Sequence, residues 1–372
     1  MGWISAEDAL VLMGTKPQTL YANVSRGRIA ARPDPEDPRR SLYRRDDVER
    51  LAERQRGKRA AEAVAAEAIA WGEPVLPTSI STIRDGRLLY RGNDAVALAE
   101  AGTLEEAAQL LWDSAALPDF SGADENLQSG MAGAYLTIAT MAATDMPSTG
   151  RAKGVLLGDA ARVVGAISSV IATPGNGAVH ERLADRWGRP EAAEPLRRAL
   201  VLLAEHELNA STFAARVTAS TGAPLSAAVL SGLAALSGPL HGNASQSMRG
   251  LVAEAERVGA EAAIAATIRQ GLPLTCFGHR LYPEGDVRAT ALLGAFEAPT
   301  LYAELAAAGE RLTGERPNID FALAAMTAAF DLPEDAPLQV FALARSVGWI
   351  AHALEQVETG ALIRPRARYV GV

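Results

Sequence analysis

Two histidines and one aspartate stand in three short motifs, beside glycines or at predicted helix ends. Gly238-Pro-Leu-His-Gly242 comes first, Phe277-Gly-His-Arg-Leu-Tyr282 follows, and Pro317-Asn-Ile-Asp-Phe321 is the third. Glycine lets the backbone turn tightly and lets a ligand come close. Imidazole and carboxylate groups at such turns can donate hydrogen bonds to a ligand or exchange protons with it. Each motif alone also fits an ordinary turn, but together they predict an acid–base site.

Arginines form a second set of candidates. On a predicted helix near residues 341–355, Arg345 shares one face with Phe341 and Trp349. A guanidinium within an apolar stripe is costly unless it meets an anion, which can be a protein carboxylate or the carboxylate of a substrate. Arg288 and Arg364 stand near turn residues, where side chains can converge. Three converging arginines are typical of a site for a small dicarboxylate.

A third histidine, His206, precedes Asn209 and Phe213 at helical spacing, so we expect the three side chains on one helix face. From the residues alone, His206 is interpreted as a hydrogen-bonded core residue. The histidines lack the spacing of zinc ligands, and the chain has no P-loop, no GxGxxG after a strand and no CxxC. We therefore predict neither a metal nor another cofactor.

These motifs resemble the blocks of the citrate synthase family, in that family's order, from about residue 75 to the C-terminus. Six blocks carry the resemblance: Ala204-Glu-His-Glu-Leu-Asn-Ala-Ser-Thr-Phe213, the three motifs above, Phe341-Ala-Leu-Ala-Arg-Ser-Val-Gly-Trp-Ile-Ala-His352 and Leu362-Ile-Arg-Pro-Arg366. From Asp94 onward the pattern is helical almost throughout, which predicts an all-α fold with one minor β-hairpin. The resemblance implies the same citrate synthase-like fold. It also implies a large domain of about residues 75–241 and 329–372, with a small domain of about residues 242–328.

The resemblance implies an acyltransferase that condenses acetyl-CoA with oxaloacetate to citrate and CoA. Asp320 matches the family's general base, which removes a proton from the thioester methyl group. His241 matches the donor to the thioester oxygen, acting as a neutral imidazole, and His279 matches the donor to the oxaloacetate ketone. From the residues alone, Asp320 also fits the N-cap of a following helix.

The remaining site residues are implied in the same way. His206 would hydrogen-bond oxaloacetate, and Arg288, Arg345 and Arg364 would bind its carboxylates, with Arg364 reaching in from the neighbouring subunit of a homodimer. A loop would hold the coenzyme A adenine, largely through backbone atoms, and it consists of Leu274, Thr275, Cys276, Phe277 and Gly278. We interpret Cys276 itself as a packing residue, since no nearby group in the sequence activates it.

Several departures from the family pattern affect substrate preference more than reaction type. Asn243 stands in place of a second glycine after His241, and Val287 replaces the proline of the usual Asp-Pro-Arg. The segment between about 145 and 195 is also shorter than usual. A 2-methylcitrate synthase that uses propionyl-CoA is therefore an alternative. From another class, a metabolite-responsive DNA-binding regulator that retains the fold is a second alternative.

Residues 1–60 are predicted to form a separate winged helix-turn-helix domain. They hold 13 Lys and Arg against 9 Asp and Glu, a balance of +4 in a chain of net charge −8, so the remainder carries −12. Ser5-Ala-Glu-Asp8 predicts a helix start, Gly14 and Gly27 predict two helix ends, two short strands follow, and a third helix starts at Asp46. The pattern resembles the DNA-binding domains of the MerR and excisionase type.

The tentative DNA-binding residues are Lys16, Gln18, Thr19, Tyr21, Arg26 and Arg28, with Arg39, Arg40, Arg44 and Arg45 on the wing. A packing or oligomerisation module is the equally favoured alternative, because the charge is modest for a DNA-binding domain. Residues 61–74 are predicted to form a linker helix. Thr78–Ile83 and Leu88–Gly92 flank Asp-Gly and predict the hairpin.

Composition indicates a cytoplasmic protein. Cys276 is the single cysteine of 372 residues, which excludes an internal disulfide and fits a reducing compartment. Charged residues at Glu7 and Asp8 argue against a signal peptide. The uncharged run from Val217 to Leu240 is long enough to span a membrane, but its prolines and glycines favour a buried helix with flanking turns. We expect no membrane partner.

Overall fold

The computed structural model describes residues 2–15, 17–25, 27–35, 37, 40–52, 76–122, 128–238, 241, 244–367, 369 and 371. The predicted linker helix at 61–74 lies outside these residues, as do Lys16, Arg26 and Arg39. The chain forms two compact units. One consists of Met1–Pro77 with Pro365–Val372, and the other is Thr78–Arg364.

The described residues of the first unit form a small antiparallel sheet and three helices. In chain order these are β1 (Trp3–Ile4), α1 (Ala6–Met13), α2 (Pro17–Ser25), β2 (Ala31–Pro33), β3 (Ser41–Arg44) and α3, which covers residues 45–52 of the described chain. The strand order is β1-β3-β2. The helices and the strands β2 and β3 lie close to where the sequence predicts them, and β1 was not predicted. The winged helix-turn-helix and DNA-binding interpretations stay predictions.

Local sequence explains the boundaries of α1. The Ser5 side chain accepts a hydrogen bond from the backbone N–H of Asp8, which satisfies a donor that has no partner within the helix. Gly14 ends the helix in the left-handed region, with φ 55°. A small core of Ala9, Leu20 and Tyr43 joins the helices to the sheet.

The second unit opens with a three-stranded sheet. Its strands are β4 (Ser81–Arg84), β5 (Arg87–Tyr90) and β6 (Asn93–Asp94), paired antiparallel in chain order. Asp85 and Gly86 at the β4–β5 turn both have positive φ, 52° and 72°. Two such residues match the twist that a two-residue hairpin requires. The predicted hairpin is confirmed.

The rest of this unit is helical. The helices are α4 (Ala95–Ala101), α5 (Leu104–Trp112), α6 (Gly130–Thr144), α7 (Lys153–Ile171), α8 (Val179–Arg186), α9 (Ala193–Leu203), α10 (Ala210–Ser220), α11 (Leu225–Leu236), α12 (Ala244–Val258), α13 (Ala260–Arg269), α14 (Val287–Leu293), α15 (Thr300–Thr313), α16 (Ile319–Ala329) and α17 (Ala336–Thr359). The mostly helical class is therefore confirmed.

Helix α17 is the centre of the larger hydrophobic core. Nearly all of its side chains are buried, and it packs against α5, α7, α9, α10 and α11. A helix that is buried on every side can carry polar side chains only where they find partners. Arg345 and His352 are such residues, and their partners lie in the site described below.

A second, smaller core lies within residues 248–325. It joins α12, α13, α15 and α16 through side chains such as Ile264, Phe277, Leu305 and Phe321. The range falls within the predicted small domain, although the domain boundaries themselves stay a prediction.

The uncharged run from Val217 to Leu240 contains the end of α10 and the whole of α11. Pro224 precedes α11, and side chains of this helix such as Val229 and Leu233 are buried in the core. Within the described residues, α7 has the length and composition of a membrane span, with 56% of its 18-residue window buried in the protein. Core helices of soluble proteins have the same properties.

Candidate active site

Six separate elements bring the candidate residues together. His206 lies between α9 and α10, His241 follows α11, and His279 lies in the loop before α14. Three helices supply the other side chains, with Arg288 in the first turn of α14, Asp320 in the first turn of α16 and Arg345 on α17.

His206 lies in a turn, and the predicted helical position is wrong. Helix α9 ends at Leu203, and α10 begins after Asn209, whose side chain accepts a hydrogen bond from the N–H of Thr212. Asparagine favours this capping position because its oxygen satisfies a helix N–H. Glu207 has a positive φ of 53°, which a continuous helix does not allow.

His206 and His279 face one another around Tyr282. Their ring centroids are 5.1 Å apart at an interplanar angle of 87°. Nε2 of His206 lies 3.0 Å from the hydroxyl of Tyr282, and the rings of His279 and Tyr282 are 5.0 Å apart. Tyr282 belongs to the same motif as His279, but nothing in the sequence indicated that it contacts both histidines.

The backbone fixes the tautomer of His279. Its Nδ1 accepts a hydrogen bond from the backbone N–H of Leu281 at 3.2 Å. In a neutral imidazole the proton then resides on Nε2, which becomes a donor. His279 is therefore arranged to donate a hydrogen bond through Nε2.

His241 is held by a residue that the sequence did not indicate. Its Nε2 lies 2.8 Å from Oγ of Ser211, which also accepts a hydrogen bond from Nε1 of Trp349 at 3.1 Å. The oxygen Oδ1 of Asn209 lies 2.8 Å from the same hydroxyl. The single proton of Ser211 can go either to Oδ1 of Asn209 or to Nε2 of His241. If it goes to Asn209, Nε2 of His241 is the nitrogen that donates; if it goes to Nε2, Nδ1 carries the proton of the neutral ring and can donate to a ligand.

All three histidines favour the neutral form. Burial lowers the pKa of His241 and of His279 to about 4, with nearby Arg345 acting on the first and Arg288 on the second. Burial also lowers the pKa of His206 well below 6.5, and the charges of Arg288 and Arg345 lower it further. A neutral imidazole still has one N–H group, which can donate a hydrogen bond to an oxygen on which negative charge develops.

Arg288 is buried against one carboxylate. Its Nε and Nη2 donate to the two oxygens of Asp286 at 3.0 and 2.8 Å, and its Nη1 makes no hydrogen bond among the described residues. Asp286 also accepts from the backbone N–H of Ile319 at 3.1 Å, so one carboxylate joins the starts of α14 and α16. Val287 occupies the first position of α14, where proline is favoured, so the departure from Asp-Pro-Arg preserves the helix start.

Arg345 is 1% exposed, and its charge is only partly matched. Its Nε donates to the carbonyl of Leu203 at 2.8 Å, and the guanidinium lies 4.7 Å from the ring centre of Phe341. Nη2 is buried and has no hydrogen-bond partner among the described residues. A buried donor without a partner is costly, so this group is suited to an anion from outside the chain.

Asp320 does not cap its helix. Asn318 is the N-cap of α16, and its side chain accepts from the N–H groups of Asp320 and Phe321 at 3.1 and 3.4 Å. The carboxyl group of Asp320 is thus left for other contacts. Burial raises the pKa of Asp320 to about 6, and the charges of Arg288 and Arg345 oppose this shift. A carboxyl group that titrates near neutrality can accept a proton from a weak acid.

Asn318 also shapes the predicted coenzyme A loop. Its Nδ2 donates to the carbonyls of Thr275 and Gly278 at 2.9 and 3.1 Å, and its backbone N–H donates to Cys276 at 3.0 Å. The loop is therefore attached directly to the start of α16. Burial raises the pKa of Cys276 to about 12, which fits a packing residue rather than a nucleophile.

Some predicted residues lie elsewhere. Arg364 is exposed, and in this single chain it has no hydrogen bond to the residues above. Among the tentative DNA-binding residues, Gln18, Tyr21 and Arg28 are exposed and Thr19 is half-buried. Within the described part of the chain, no group of three or more His, Cys, Asp or Glu side chains could hold a metal ion.

Two arginines that were predicted for the wing form ion pairs with neighbouring carboxylates, and one of them, Arg45, begins α3 instead. Arg45 pairs with Glu49 at 2.7 Å, and Arg44 pairs with Asp47 at 3.1 Å. These pairs reduce the positive charge that the wing can offer to a phosphate backbone.

Comparisons with known proteins identify the class. The family described as citrate synthase, C-terminal domain, matches residues 131–366. The chain is 31% identical over 345 residues to the citrate synthase of Haloferax volcanii, which spans 77% of this chain and 90% of that one. The citrate synthases are acyltransferases, and both matches place this chain in that class. The chain belongs to the citrate synthase family.

A second curated relative and a solved structure extend the comparison. The chain is 35% identical over 197 residues to the 2-methylcitrate synthase of Mycobacterium tuberculosis, across 49% of this chain and about half of the relative. The chain also has the fold of a citrate synthase from Thermoplasma acidophilum, solved in a ternary complex with carboxymethyl coenzyme A and oxaloacetate. The TM-score is 0.68 and the sequence identity is 24%. The match covers 83% of this chain and 96% of that one.

Proposed function

We propose that this protein condenses acetyl-CoA with oxaloacetate, giving citrate and free CoA. The observation that carries the proposal is Arg345, whose Nη2 is buried without a hydrogen-bond partner among the described residues, beside three histidines that favour the neutral form. Such a pocket suits an anion that also carries a polarisable carbonyl group. Membership of the citrate synthase family supports the same conclusion.

Oxaloacetate would bind between α14 and α17. Arg288 is oriented by Asp286 and still has Nη1, while Arg345 offers Nη2, so each guanidinium keeps donors for one carboxylate. His206 would hydrogen-bond the same ligand from the turn between α9 and α10. Nε2 of His279 would donate to the ketone oxygen, which polarises the carbon that is attacked.

Asp320 would act as the general base. Its carboxylate takes a proton from the methyl group of the thioester, and His241 donates a hydrogen bond to the thioester oxygen as negative charge develops there. The new carbon–carbon bond forms between the methyl carbon and the ketone carbon, and the ketone oxygen becomes a hydroxyl by taking the proton of Nε2 of His279, which solvent later replaces. Water then cleaves the thioester and releases CoA as the thiol.

The loop of residues 274–278 would hold the adenine of coenzyme A. Asn318 already uses the carbonyls of Thr275, Cys276 and Gly278, and the N–H groups of Phe277 and Gly278 donate to other carbonyls of the chain. The remaining surface of the loop would therefore contact the base. A propionyl-CoA substrate, giving 2-methylcitrate, is the second candidate, and the 2-methylcitrate synthase relative favours it.

The active unit would be a homodimer in the cytoplasm, with Arg364 of each chain completing the partner's site. Exposure of Arg364 supports this arrangement, because a charged side chain on the surface is available to a second chain. The side chains of Leu136 and Val155 are 58% and 53% exposed on α6 and α7, which is consistent with an interface there.

The first unit would bind DNA through α2 and the wing, or would serve only as a packing module. Exposed Gln18, Tyr21 and Arg28 favour DNA contact, whereas the ion pairs of Arg44 and Arg45 favour the packing role. In the DNA-binding case the protein would also be a metabolite-responsive regulator.

The product test uses acetyl-CoA or propionyl-CoA with oxaloacetate and identifies the product by mass spectrometry. Citrate as the faster-formed product supports the proposal, and faster formation of 2-methylcitrate selects the second candidate. A protein that binds oxaloacetate but converts neither thioester would refute the catalytic proposal and leave the regulator.

A further inference from the structure

Glu205 directly precedes His206, and its carboxylate is fully buried. Its Oε1 lies 3.1 Å from Nε2 of His352 and 3.2 Å from Oγ of Ser81. Its Oε2 has no hydrogen-bond partner among the described residues. Burying a carboxylate costs free energy unless hydrogen bonds or charges compensate for it. We therefore ask what the buried carboxylate of Glu205 does for the fold or for the site.

Arg216 determines how His352 meets this carboxylate. Nη1 of Arg216 lies 3.3 Å from Nδ1 of His352, and a guanidinium can only donate, so Nδ1 is an acceptor. Nε2 of His352 therefore carries a proton and donates it to Glu205. Arg216 also donates to Gln356 and Glu355, at 2.7 and 2.9 Å, which fixes it in turn.

Helix α17 contacts the end of α9 and the turn that follows it, residues 203–207, at three successive places. Arg345 donates to the last carbonyl of α9, and His352 donates to Glu205 two turns further along. Gly348 lies between them, where a Cβ atom would collide with the carbonyl of Ala204 and with the carboxylate of Glu205. Glycine is therefore required there for close approach of the two backbones.

The β4–β5 hairpin holds the same turn from the other side. The hydroxyl of Ser81 donates to the carboxylate of Glu205 and accepts a hydrogen bond from the backbone N–H of Glu207 at 3.1 Å. One side chain is therefore hydrogen-bonded to both neighbours of His206. The hydroxyl of Tyr90 accepts the backbone N–H of Glu205 at 3.2 Å and lies 3.0 Å from its carbonyl oxygen. These contacts constrain the positive φ of Glu207.

We infer that Glu205 is a positioning residue for the binding of oxaloacetate. Its carboxylate, held between His352 on α17 and Ser81 on β4, fixes the turn that carries His206 at a set distance from Arg345. Substrate contacts made by two elements far apart in sequence are thus tied together by one buried group. The inference rests on the proposed function, since it assumes that His206 and Arg345 bind the keto acid.

The test compares Glu205→Gln with wild type. The amide keeps the size of the side chain but weakens the hydrogen bonds from His352 and Ser81, because they no longer meet a charge. We expect the Kd for oxaloacetate, measured by calorimetry, to rise about tenfold, as residues of one network are strongly coupled. The KM for the acyl-CoA should stay within about twofold, because Glu205 does not adjoin the 274–278 loop.

The matched control is Glu105→Gln. Glu105 is also a buried carboxylate, it accepts a hydrogen bond from the backbone N–H of Val179 at 2.8 Å, and its Oε2 likewise has no hydrogen-bond partner among the described residues, but none of its hydrogen bonds involves α17 or the turn that carries His206. We expect its Kd for oxaloacetate to equal that of wild type. If Glu105→Gln and Glu205→Gln weaken binding equally, or if Glu205→Gln changes both substrates alike, the effect is general destabilisation and the inference is wrong.

Ser81→Ala provides a second variant should Glu205→Gln fail to fold. It removes the hydroxyl that is hydrogen-bonded to both neighbours of His206, so we expect weaker oxaloacetate binding. Ser81→Thr keeps a hydroxyl and should restore the binding. Unchanged binding in Ser81→Ala would overturn the inference while leaving the proposed function intact. Conversely, if wild type binds oxaloacetate without turnover, the proposed function fails, and the binding comparison still decides the role of Glu205.

Discussion

The backbone N–H of Leu281 donates to Nδ1 of His279 at 3.2 Å, which makes Nε2 the only donor of the neutral ring. A charged imidazolium at this place would have to give up that contact, and burial beside Arg288 opposes the charge as well. The site is thereby arranged for donors that are neutral at physiological pH.

We predict that His241 and His279 stay neutral down to about pH 5, because burial lowers the pKa of each to about 4. Nitrogen chemical shifts of ¹⁵N-histidine protein should show both rings uncharged at pH 6, with signals assigned through His→Gln variants. The acid limb of kcat/KM for the acyl-CoA should instead fall near pH 6, where Asp320 gains its proton. Imidazole titration between pH 6 and 7 would contradict this assignment.

The second prediction concerns the stability of Asp320→Asn. The folded protein holds the proton of Asp320 up to about pH 6, whereas the unfolded chain releases it at its ordinary pKa of 3.8. Wild type therefore loses stability as the pH rises from 3.8 to 6, by up to about 3 kcal/mol, and the loss persists above pH 6.

The amide has no such proton, so Asp320→Asn should melt at a higher temperature than wild type at pH 8, and this difference should disappear near pH 4. Asp185→Asn, which changes an exposed carboxylate on α8, is the control and should show no pH-dependent difference. An Asp320→Asn variant less stable than wild type at pH 8 would show that the ionised group is stabilising.

Much of this arrangement follows from the sequence. The Asp-Gly turn predicts the hairpin, and the apolar stripe around Arg345 predicts a buried helix, because both signals are local. Helical spacing did not decide the placement of His206, since its spacing to Asn209 fits a helix as well as the turn that the structure shows. The one sequence signal for the turn was Asn209, because asparagine favours the N-cap of a new helix.

Other parts of the site depend on contacts between distant segments. Ser211 reaches His241, and Glu205 reaches Ser81 across 124 residues, so neither role leaves a periodic pattern in the sequence. Asn318 stands within the motif of residues 317–321, but its three hydrogen bonds to the 274–278 loop form only in the folded chain.

We further predict that Arg364 acts across the dimer interface. Arg364→Ala and Asp320→Asn should each inactivate the homodimer, whereas mixed dimers should recover part of the activity, because one of their two sites holds both intact residues. Co-expression with two different affinity tags isolates the mixed dimer for assay. Verified mixed dimers without activity would place Arg364 in the site of its own chain, or in none.

The fourth prediction concerns the first unit. If it binds DNA, affinity should fall with salt at a log–log slope of roughly −0.9 per phosphate contacted, as counterions are released. Arg28→Ala should weaken binding and reduce that slope, whereas Arg50→Ala, whose guanidinium is paired with Asp47, serves as the control. No binding to any duplex in a random pool at low salt would leave the unit as a packing module.

The central claim is that this chain joins an acyl-CoA to oxaloacetate, and release of free thiol measures it most directly. Full-length protein is mixed with acetyl-CoA, with and without oxaloacetate, and thiol is followed by a colorimetric reagent. We predict thiol release that requires both substrates, with the rate falling about 10²–10⁴-fold in Asp320→Asn, as expected for loss of a general base. Release without oxaloacetate, or an undiminished rate in Asp320→Asn, would contradict the account.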